Sequence, residues 1–473
     1  MTPLPRSTPE AEGIASSAIL DFVRAADSGL DSLHSMMIVR HGRVVAEGWW
    51  KPYTAGRPHM MFSVSKSFTS AAVGLAISEG LLTLDDRVVD LLPDDLPTDI
   101  DAHLNALTVR HLLTMTTGHA VDTVELADSS HGDNWARAIL AQPLSYAPGT
   151  HYIYNSGATH VLSAILQRLT GQRLLDYLEP RLFAPLGITD ATWESSPQGI
   201  DAGGWGLSIT TEQLAVFGQL LLQRGQWNGR RLVPAEWIDE ATSAQVDTSA
   251  ADHDLDGRQG YGYQFWRNRL AGYRADGAFG QLCIVLPDQD AVVVLTSALP
   301  VAQLALDLVW EHLLPAFGDS ALPPTESPLA GELEELTLPV VDGEASTPTA
   351  HRVTGIRFGF DHPSVSAVTL EPGALTIDEG GAITVLPFGT GEWIESSDAP
   401  VSPDGHASPD GRVWASGAWV SSDTLVVRAY DVVTPYSRTV SLTFAADTVT
   451  LDVSQNVAFG DLPHTHAVSL PHP

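Results

Sequence analysis

Met60-Met61-Phe62-Ser63-Val64-Ser65-Lys66-Ser67-Phe68, running on through Ala71-Ala72-Val73-Gly74-Leu75-Ala76-Ile77 to Gly80, is the stretch from which the rest of the chain can be read. Val64, Phe68, Ala72 and Leu75 recur at helical spacing. A helix this apolar is buried. Ser63 and Lys66 stand three apart, on one face of its first turn. Burial lowers an amine pKa, and a neutral amine can take the proton of a neighbouring hydroxyl and so activate a serine. The chain has two lysines, Lys51 and Lys66, against many arginines. Arginine stays protonated near neutrality, whereas a buried lysine can lose its proton, so Lys66 stands where deprotonation is useful. The competing reading is a surface lysine on a first helical turn.

Upstream of this helix, residues 16–26 read as an amphipathic helix. Residues 36–39 and 44–49 form a β-hairpin about Arg40-His41-Gly42-Arg43. Downstream, residues 84–101 read as a loop over the surface, followed by short helices at 107–115 and 133–141. The turn Pro148-Gly149 then delivers Tyr152-Ile153-Tyr154-Asn155-Ser156-Gly157, and a long helix runs over 158–170. Residues 172–245 are mostly helical, with segments at 174–182, 211–224 and 234–242, the last with Pro at its start. Strands return at 262–268 and in a second hairpin, 281–286 with 291–297. A helix over 301–314 closes the region. This predicts an α/β fold for residues 1–317: one antiparallel sheet built from both ends of the segment, flanked by helices, plus a helical lobe. A ligand cleft is expected between the two lobes.

Residues 318–350 are rich in Pro, Glu, Ser and Thr and read as a linker. Beyond it, 424–430, 438–444 and 448–453 alternate as short strands, and Pro403-Asp404-Gly405 and Pro409-Asp410-Gly411 lie in a turn-rich loop. Residues 351–460 therefore predict an all-β barrel or sandwich, with a loosely held tail from 461. The expected organisation is 1–317, 318–350 and 351–473.

Two domains also suit a chain of 473 residues, too long for one ordinary core. The formal net charge of −32 argues against nucleic acid or an anionic membrane as partner. No apolar run reaches the roughly 18 residues of a membrane span. The N-terminus has no apolar signal core, which makes the cytoplasm the expected location. Cys283 is alone, so no intrachain disulfide is expected, and its apolar surroundings suggest a core residue. His464-Thr465-His466 has no carboxylate or cysteine beside it, so no metal site is expected there.

A Ser-Lys pair needs a second proton handler and an oxyanion site. Tyr154, on a turn before a helix, suits the first role if nearby cations lower its pKa; Tyr152 is the competitor by spacing. The Ser63 N–H, at a helix N-terminus, supplies one oxyanion donor. Asp276-Gly277-Ala278-Phe279-Gly280-Gln281 suits the other, because its glycines let backbone approach a substrate. Trp205, Tyr261, Tyr263 and Trp266 either wall an acyl pocket or serve as core, and His119 reads as a solvated loop residue.

Four features occur in fixed order: Ser63-Val64-Ser65-Lys66, Leu107-Thr108-Val109-Arg110-His111-Leu112-Leu113-Thr114-Met115-Thr116-Thr117-Gly118, Pro148-Gly149 with Tyr154, and the glycine-rich strand at 277–280. Together they resemble the serine β-lactamase-related superfamily, which includes class C β-lactamases, D-aminopeptidases, family VIII carboxylesterases and nylon-oligomer amidases. The resemblance covers roughly residues 10–317. It implies a β-lactamase/transpeptidase-like fold, Ser63 as acylated nucleophile, Lys66 as its proton acceptor or electrostatic partner, and Tyr154 as general base and acid; the N–H groups of Ser63 and Ala278 are the expected oxyanion donors. No cofactor or metal is implied.

Two departures narrow the chemistry. The usual Tyr-x-Asn motif is Tyr154-Asn155-Ser156, with a hydroxyl for an amide. The usual Lys-Thr-Gly is Ala275-Asp276-Gly277, where an aspartate would repel a ligand carboxylate. Ser156, Asp276, Gly277 and Trp205 are the expected substrate-binding residues. The expectation is a serine hydrolase of small neutral or cationic esters or amides. The alternatives are a D-amino-acid amidase or peptidase, a weak β-lactamase, or a non-catalytic homologue that binds peptides or cell-wall fragments. Residues 351–473 more weakly resemble the lipocalin-like β domain appended to some bacterial members, a candidate for shaping the cleft mouth or a homo-oligomer contact.

Overall fold

The computed structural model describes residues 4–30, 32–126, 132–251, 253–396, 412–446 and 448–469. The N-terminal region is built on a six-stranded sheet: β1 (Leu33–Arg40), β2 (Arg43–Trp49), β3 (Trp266–Arg267), β4 (Tyr273–Gly277), β5 (Gln281–Leu286) and β6 (Ala291–Ser297). Its order is β2-β1-β6-β5-β4-β3, with every neighbour antiparallel. The two predicted hairpins meet at the centre, where Val39 pairs with Val292. Every residue of β1, β5 and β6 is buried. Their apolar runs are continuous because helices cover both faces, leaving no polar face to alternate with.

On one face, α1 (Ser16–Gly29) and α6 (Gln303–Leu308) pack Phe22, Val23 and Leu306 against Leu282, Ile284, Val293 and Leu295. The other face carries Met37, Val39, Cys283, Val285 and Val292, in one core with α2 (Ser65–Ser78), α4 (Ser156–Thr170) and α5 (Thr211–Leu222). Contact there is close: a Cβ on Gly218 of α5 would lie 2.6 Å from Val292 and 2.7 Å from Cys283. Helix α2, which carries Lys66, is buried from Ser65 to Ala76. Left-handed Gly80 ends it, with Leu81 N–H returning to Ala76 O at 2.9 Å.

Several boundaries differ from the sequence reading. Residues 84–101 are not simply a surface loop. Val88–Leu91 is helical, and Val88 and Leu92 are buried. The strand expected at 262–268 shrinks to Trp266–Arg267, because Gln264, at positive φ, breaks the extended run. Within 318–350, Leu329–Glu334 is helical, and Leu329, Leu336 and Leu338 sink into the core beside β2. The segment holds the chain after β2 by Lys51 N–H to Leu336 O and Leu338 N–H to Lys51 O.

The C-terminal region forms two antiparallel sheets. One has four strands: β7 (Arg357–Gly359), β8 (Ala367–Glu371), β9 (Ala374–Glu379) and β10 (Ala382–Pro387). The other has six: β11 (Ile394–Ser396), β12 (Val413–Trp419), β13 (Thr424–Tyr430), β14 (Ser437–Phe444), β15 (Val449–Gln455) and β16 (His464–Val468). They share one core, including Leu375, Ile377, Trp419, Val427 and Leu442. Single bridges, Phe360 to Ser469 and Gly389 to Ser416, join the sheets at two seams. The barrel is therefore not closed by continuous ladders. The tail is not loosely held: β16 pairs with β15, and His466 Nδ1 lies 2.7 Å from Asp452, a cross-strand carboxylate that sequence adjacency cannot show. The two Pro-Asp-Gly turns lie outside the described residues.

Candidate active site

Ser63 sits in a single 3-10 turn, Phe62–Val64, that feeds directly into α2. The turn leaves its early N–H groups without intrahelical partners. Lys66, one turn on, is 1% exposed. Its Nζ donates to Ser63 Oγ at 2.9 Å, to Ser156 Oγ at 3.0 Å and to the carbonyl of Gly204 at 2.8 Å. All three partners are uncharged, so little offsets the loss of water. Burial pulls the Lys66 amine down to about 7, opposed by the Asp122 carboxylate. Near neutral pH a large fraction of Lys66 is thus the free amine.

Ser156 reaches Lys66 because it opens α4. Asn155 caps that helix, accepting from Ala158 N–H. The buried Asn155 also accepts from Thr123 Oγ1 at 2.8 Å, while the Ser156 N–H donates to Asp122 Oδ1 at 2.7 Å. The loop after Thr-Thr-Gly is therefore pinned to the start of α4. His119 belongs to this brace, not to solvent: it is 3% exposed and bonds Thr117 Oγ1 and the Asn155 amide. Its ring fits under the loop because Gly118 turns left-handed there.

The two tyrosines separate cleanly. Tyr154 lies close enough to the Ser63 side chain for that hydroxyl to lower its pKa. Its ring stacks on Trp266 at 5.6 Å and lies 4.8 Å from Lys66 Nζ. Tyr152 packs in the same cluster with Tyr261 and Trp266, but its buried hydroxyl has no hydrogen-bond partner among the described residues. The expectation that cations lower the Tyr154 pKa is overturned. Burial pushes it up, opposed by the Ser63 hydroxyl, and the carboxylates of Asp276 and Asp122 push it further. The Arg274 guanidinium lowers it, but by less than the other effects.

β4 brings the oxyanion segment alongside. Gly277 lies so close to the nucleophile turn that a Cβ there would be 2.3 Å from Met61 O. The following turn, Ala278-Phe279-Gly280, is gripped by its carbonyls. Gln281 Nε2 donates to Ala278 O, and Ser297 Oγ donates to Phe279 O. Held this way, the turn places Ala278 against the group containing Phe62. Asp276 is paired with the buried Arg274 at 2.7 Å, and burial raises its pKa, opposed by Arg274. Trp205 is half-buried and stacks on Trp135 at 6.0 Å. Of its loop, the Gly204 carbonyl is what touches Lys66. Tyr263 bonds Arg110 and Glu240.

Sequence reasoning missed four supports. They are the Gly204 carbonyl, Asp122, the Gln281–Ser297 brace, and Gln264, whose backbone carbonyl accepts from Ser67 of α2 and whose amide reaches Leu113 O. The double glycine before Trp205 was the one local signal. A Cβ on Gly204 would lie 2.7 Å from Ser156 O, so only glycine allows that approach. Among the described residues no helix is long and apolar enough to cross a membrane, and no cluster of three metal-ligating side chains occurs.

A family model described as Beta-lactamase matches residues 33–311. A 6-aminohexanoate-dimer hydrolase of Paenarthrobacter ureafaciens is 25% identical over 284 residues, covering 56% of this chain and 72% of that protein. Esterase EstB of Burkholderia gladioli is 31% identical over 185 residues, covering 34% of this chain and 46% of that protein. The solved structure of an octameric penicillin-binding protein homologue from Pyrococcus abyssi aligns with a TM-score of 0.50 at 16% identity. It covers 96% of this chain and 98% of its own, a likeness of fold.

Proposed function

This chain belongs to the beta-lactamase family, and on that premise we propose that it is a serine hydrolase of small carboxylic esters or amides, working through an acyl-enzyme on Ser63. The observation that carries this is the buried Lys66 amine, 2.9 Å from Ser63 Oγ and held near 7 by desolvation. As the free amine, Lys66 takes the Ser63 proton while Oγ adds to the substrate carbonyl. The N–H groups of Ser63 and Ala278 receive the oxyanion, where preorganised donors act strongly. Tyr154, kept as the neutral phenol, gives its proton to the leaving alkoxide or amine as the carbonyl re-forms. The lysine ammonium, hydrogen-bonded to the Ser156 hydroxyl, returns a proton to the phenolate through that hydroxyl, since Ser63 Oγ is now acylated and has no proton to relay. Water then attacks the acyl-enzyme by the reverse relay and frees the acid.

Asp276, where a ligand carboxylate would need a cation, supports neutral or cationic substrates over β-lactams and D-Ala-D-Ala peptides. The names of the amidase and esterase relatives agree with that preference. The test is hydrolysis of p-nitrophenyl butyrate by the wild type and Ser63→Ala, with nitrocefin in parallel. Ester turnover that vanishes in Ser63→Ala is expected, with little nitrocefin turnover. Equal ester rates in both proteins would reject the proposal.

A further inference from the structure

The two residues that flank the oxyanion donors are both phenylalanines in left-handed backbone. Phe62, just before Ser63, has φ +46°, and Phe279, just after Ala278, has φ +64°. Phe279 occupies the third position of the turn closed by Gly280 N–H to Gly277 O, a place that at positive φ ordinarily takes glycine. Bulky residues hold such conformations only where the surroundings over-determine them. Here the two rings meet edge to face at 5.3 Å. They are then enclosed by two rings from the C-terminal β region. Tyr436 lies 6.3 Å from Phe62 and 5.9 Å from Phe279; Phe459 lies 5.9 Å and 4.9 Å away. Val457 completes the group.

The two donor loops of the β region are themselves fixed. Asn456 accepts from Ser437 N–H and donates to Pro435 O, tying the 431–436 turn to the strand end that carries Val457 and Phe459. That turn also grips the hydrolase region directly: Met60 N–H donates to Val433 O at 2.8 Å and the Tyr53 hydroxyl to Thr434 O at 3.0 Å.

We infer that the C-terminal β region completes the oxyanion site, with Tyr436 and Phe459 as positioning residues that hold the Phe62 and Phe279 backbones and so aim the N–H groups of Ser63 and Ala278. The inference rests on the Ser63 acyl-enzyme reading above. It goes further by making a second region of the chain part of the rate-determining geometry. Tyr436 and Phe459 touch no reacting atom; they act through the two phenylalanines.

The experiment compares kcat and KM for the wild type, Ser63→Ala, Tyr436→Ala, Tyr436→Phe and Phe459→Ala on p-nitrophenyl butyrate and on its thionoester. A sulfur anion fits poorly among donors aimed at oxygen, so the oxygen-to-sulfur rate ratio reports donor geometry. In Tyr436→Ala and Phe459→Ala, oxygen-ester kcat is expected to fall roughly fivefold or more with KM nearly constant, and the ratio to shrink with it. Tyr436→Phe keeps the ring and the wild-type values. Phe459 is 68% exposed, so Phe459→Ala remains folded even if Tyr436→Ala does not. An unchanged ratio in either alanine variant overturns the inference for that ring, as does a raised KM at constant kcat, the mark of a substrate contact. Loss of turnover in Ser63→Ala beside unchanged ring variants leaves the acyl-enzyme reading standing. Turnover indifferent to Ser63→Ala removes both.

Discussion

Replacing Lys66 by Met should trade activity for a stability that depends on pH in a calculable way. In the folded chain the amine falls from its ordinary 10.5 to about 7, because burial penalises the charge. The folded state therefore binds fewer protons than the unfolded one between those values, and the stability contributed by this group rises with pH across that window. Below 7 the folded protein carries a buried ammonium and the penalty is complete. Methionine of similar length has no such term. Linkage between the two values gives about 2.7 kcal/mol of wild-type stability gained from pH 6 to pH 9 relative to Lys66→Met. Lost contacts to Ser63, Ser156 and Gly204 shift the variant by a constant, not by a slope. Urea unfolding of both proteins at pH 6, 7.5 and 9 measures it, since all other titrating groups cancel in the difference. A stability difference that stays level over this range would refute the claim that Lys66 is held near neutral by desolvation.

The same amine sets the rate. kcat/KM for a neutral ester should climb as pH passes through about 7 and then stay level past pH 9, because the Tyr154 phenol is pushed up; a pH–rate profile checks both limbs. Tyr154→Phe should lower kcat by about 10²–10⁴-fold, the usual worth of a general acid, while the melting temperature barely moves. Gly277→Ala puts a methyl 2.3 Å from Met61 O, so it should cost roughly tenfold in kcat as β4 is pushed from the nucleophile turn. Asp276→Asn should raise kcat/KM for a hemisuccinate ester over an acetate ester by a few-fold, about what one partly screened charge is worth; an unchanged ratio would mean that Asp276 does not face the substrate.

The hairpins, the helix after Ser63 and the Ser63–Lys66 pair are legible because each is written locally, whereas Tyr154 is separated from Tyr152 only by the motif order that carries the family resemblance. Val39 and Val292 sit in apolar runs that any order of folding must bury, and Ser63 and Lys66 share a helical face by spacing alone. The Gly204 carbonyl and Asp122 were not legible, since each reaches the site across long stretches of sequence. The direction of the Tyr154 pKa is not legible for a related reason: burial sets it and Asp276 and Asp122 add to it, and only the fold brings these about. His119 looked like a solvated loop residue, but its burial is set by Asn155, thirty-six positions on. Residues 318–350 have a linker's composition, yet three leucines among them find a core beside β2 that local pattern does not reveal.

The central claim is that Ser63 is the nucleophile and that Lys66 activates it. An organophosphonate ester with a p-nitrophenyl leaving group tests it most directly, because the adduct survives digestion and can be placed by peptide mass spectrometry. The account predicts one adduct per chain, on Ser63, absent in Ser63→Ala and formed far more slowly in Lys66→Met. An adduct on another residue, or equal labelling of Ser63→Ala, would contradict it.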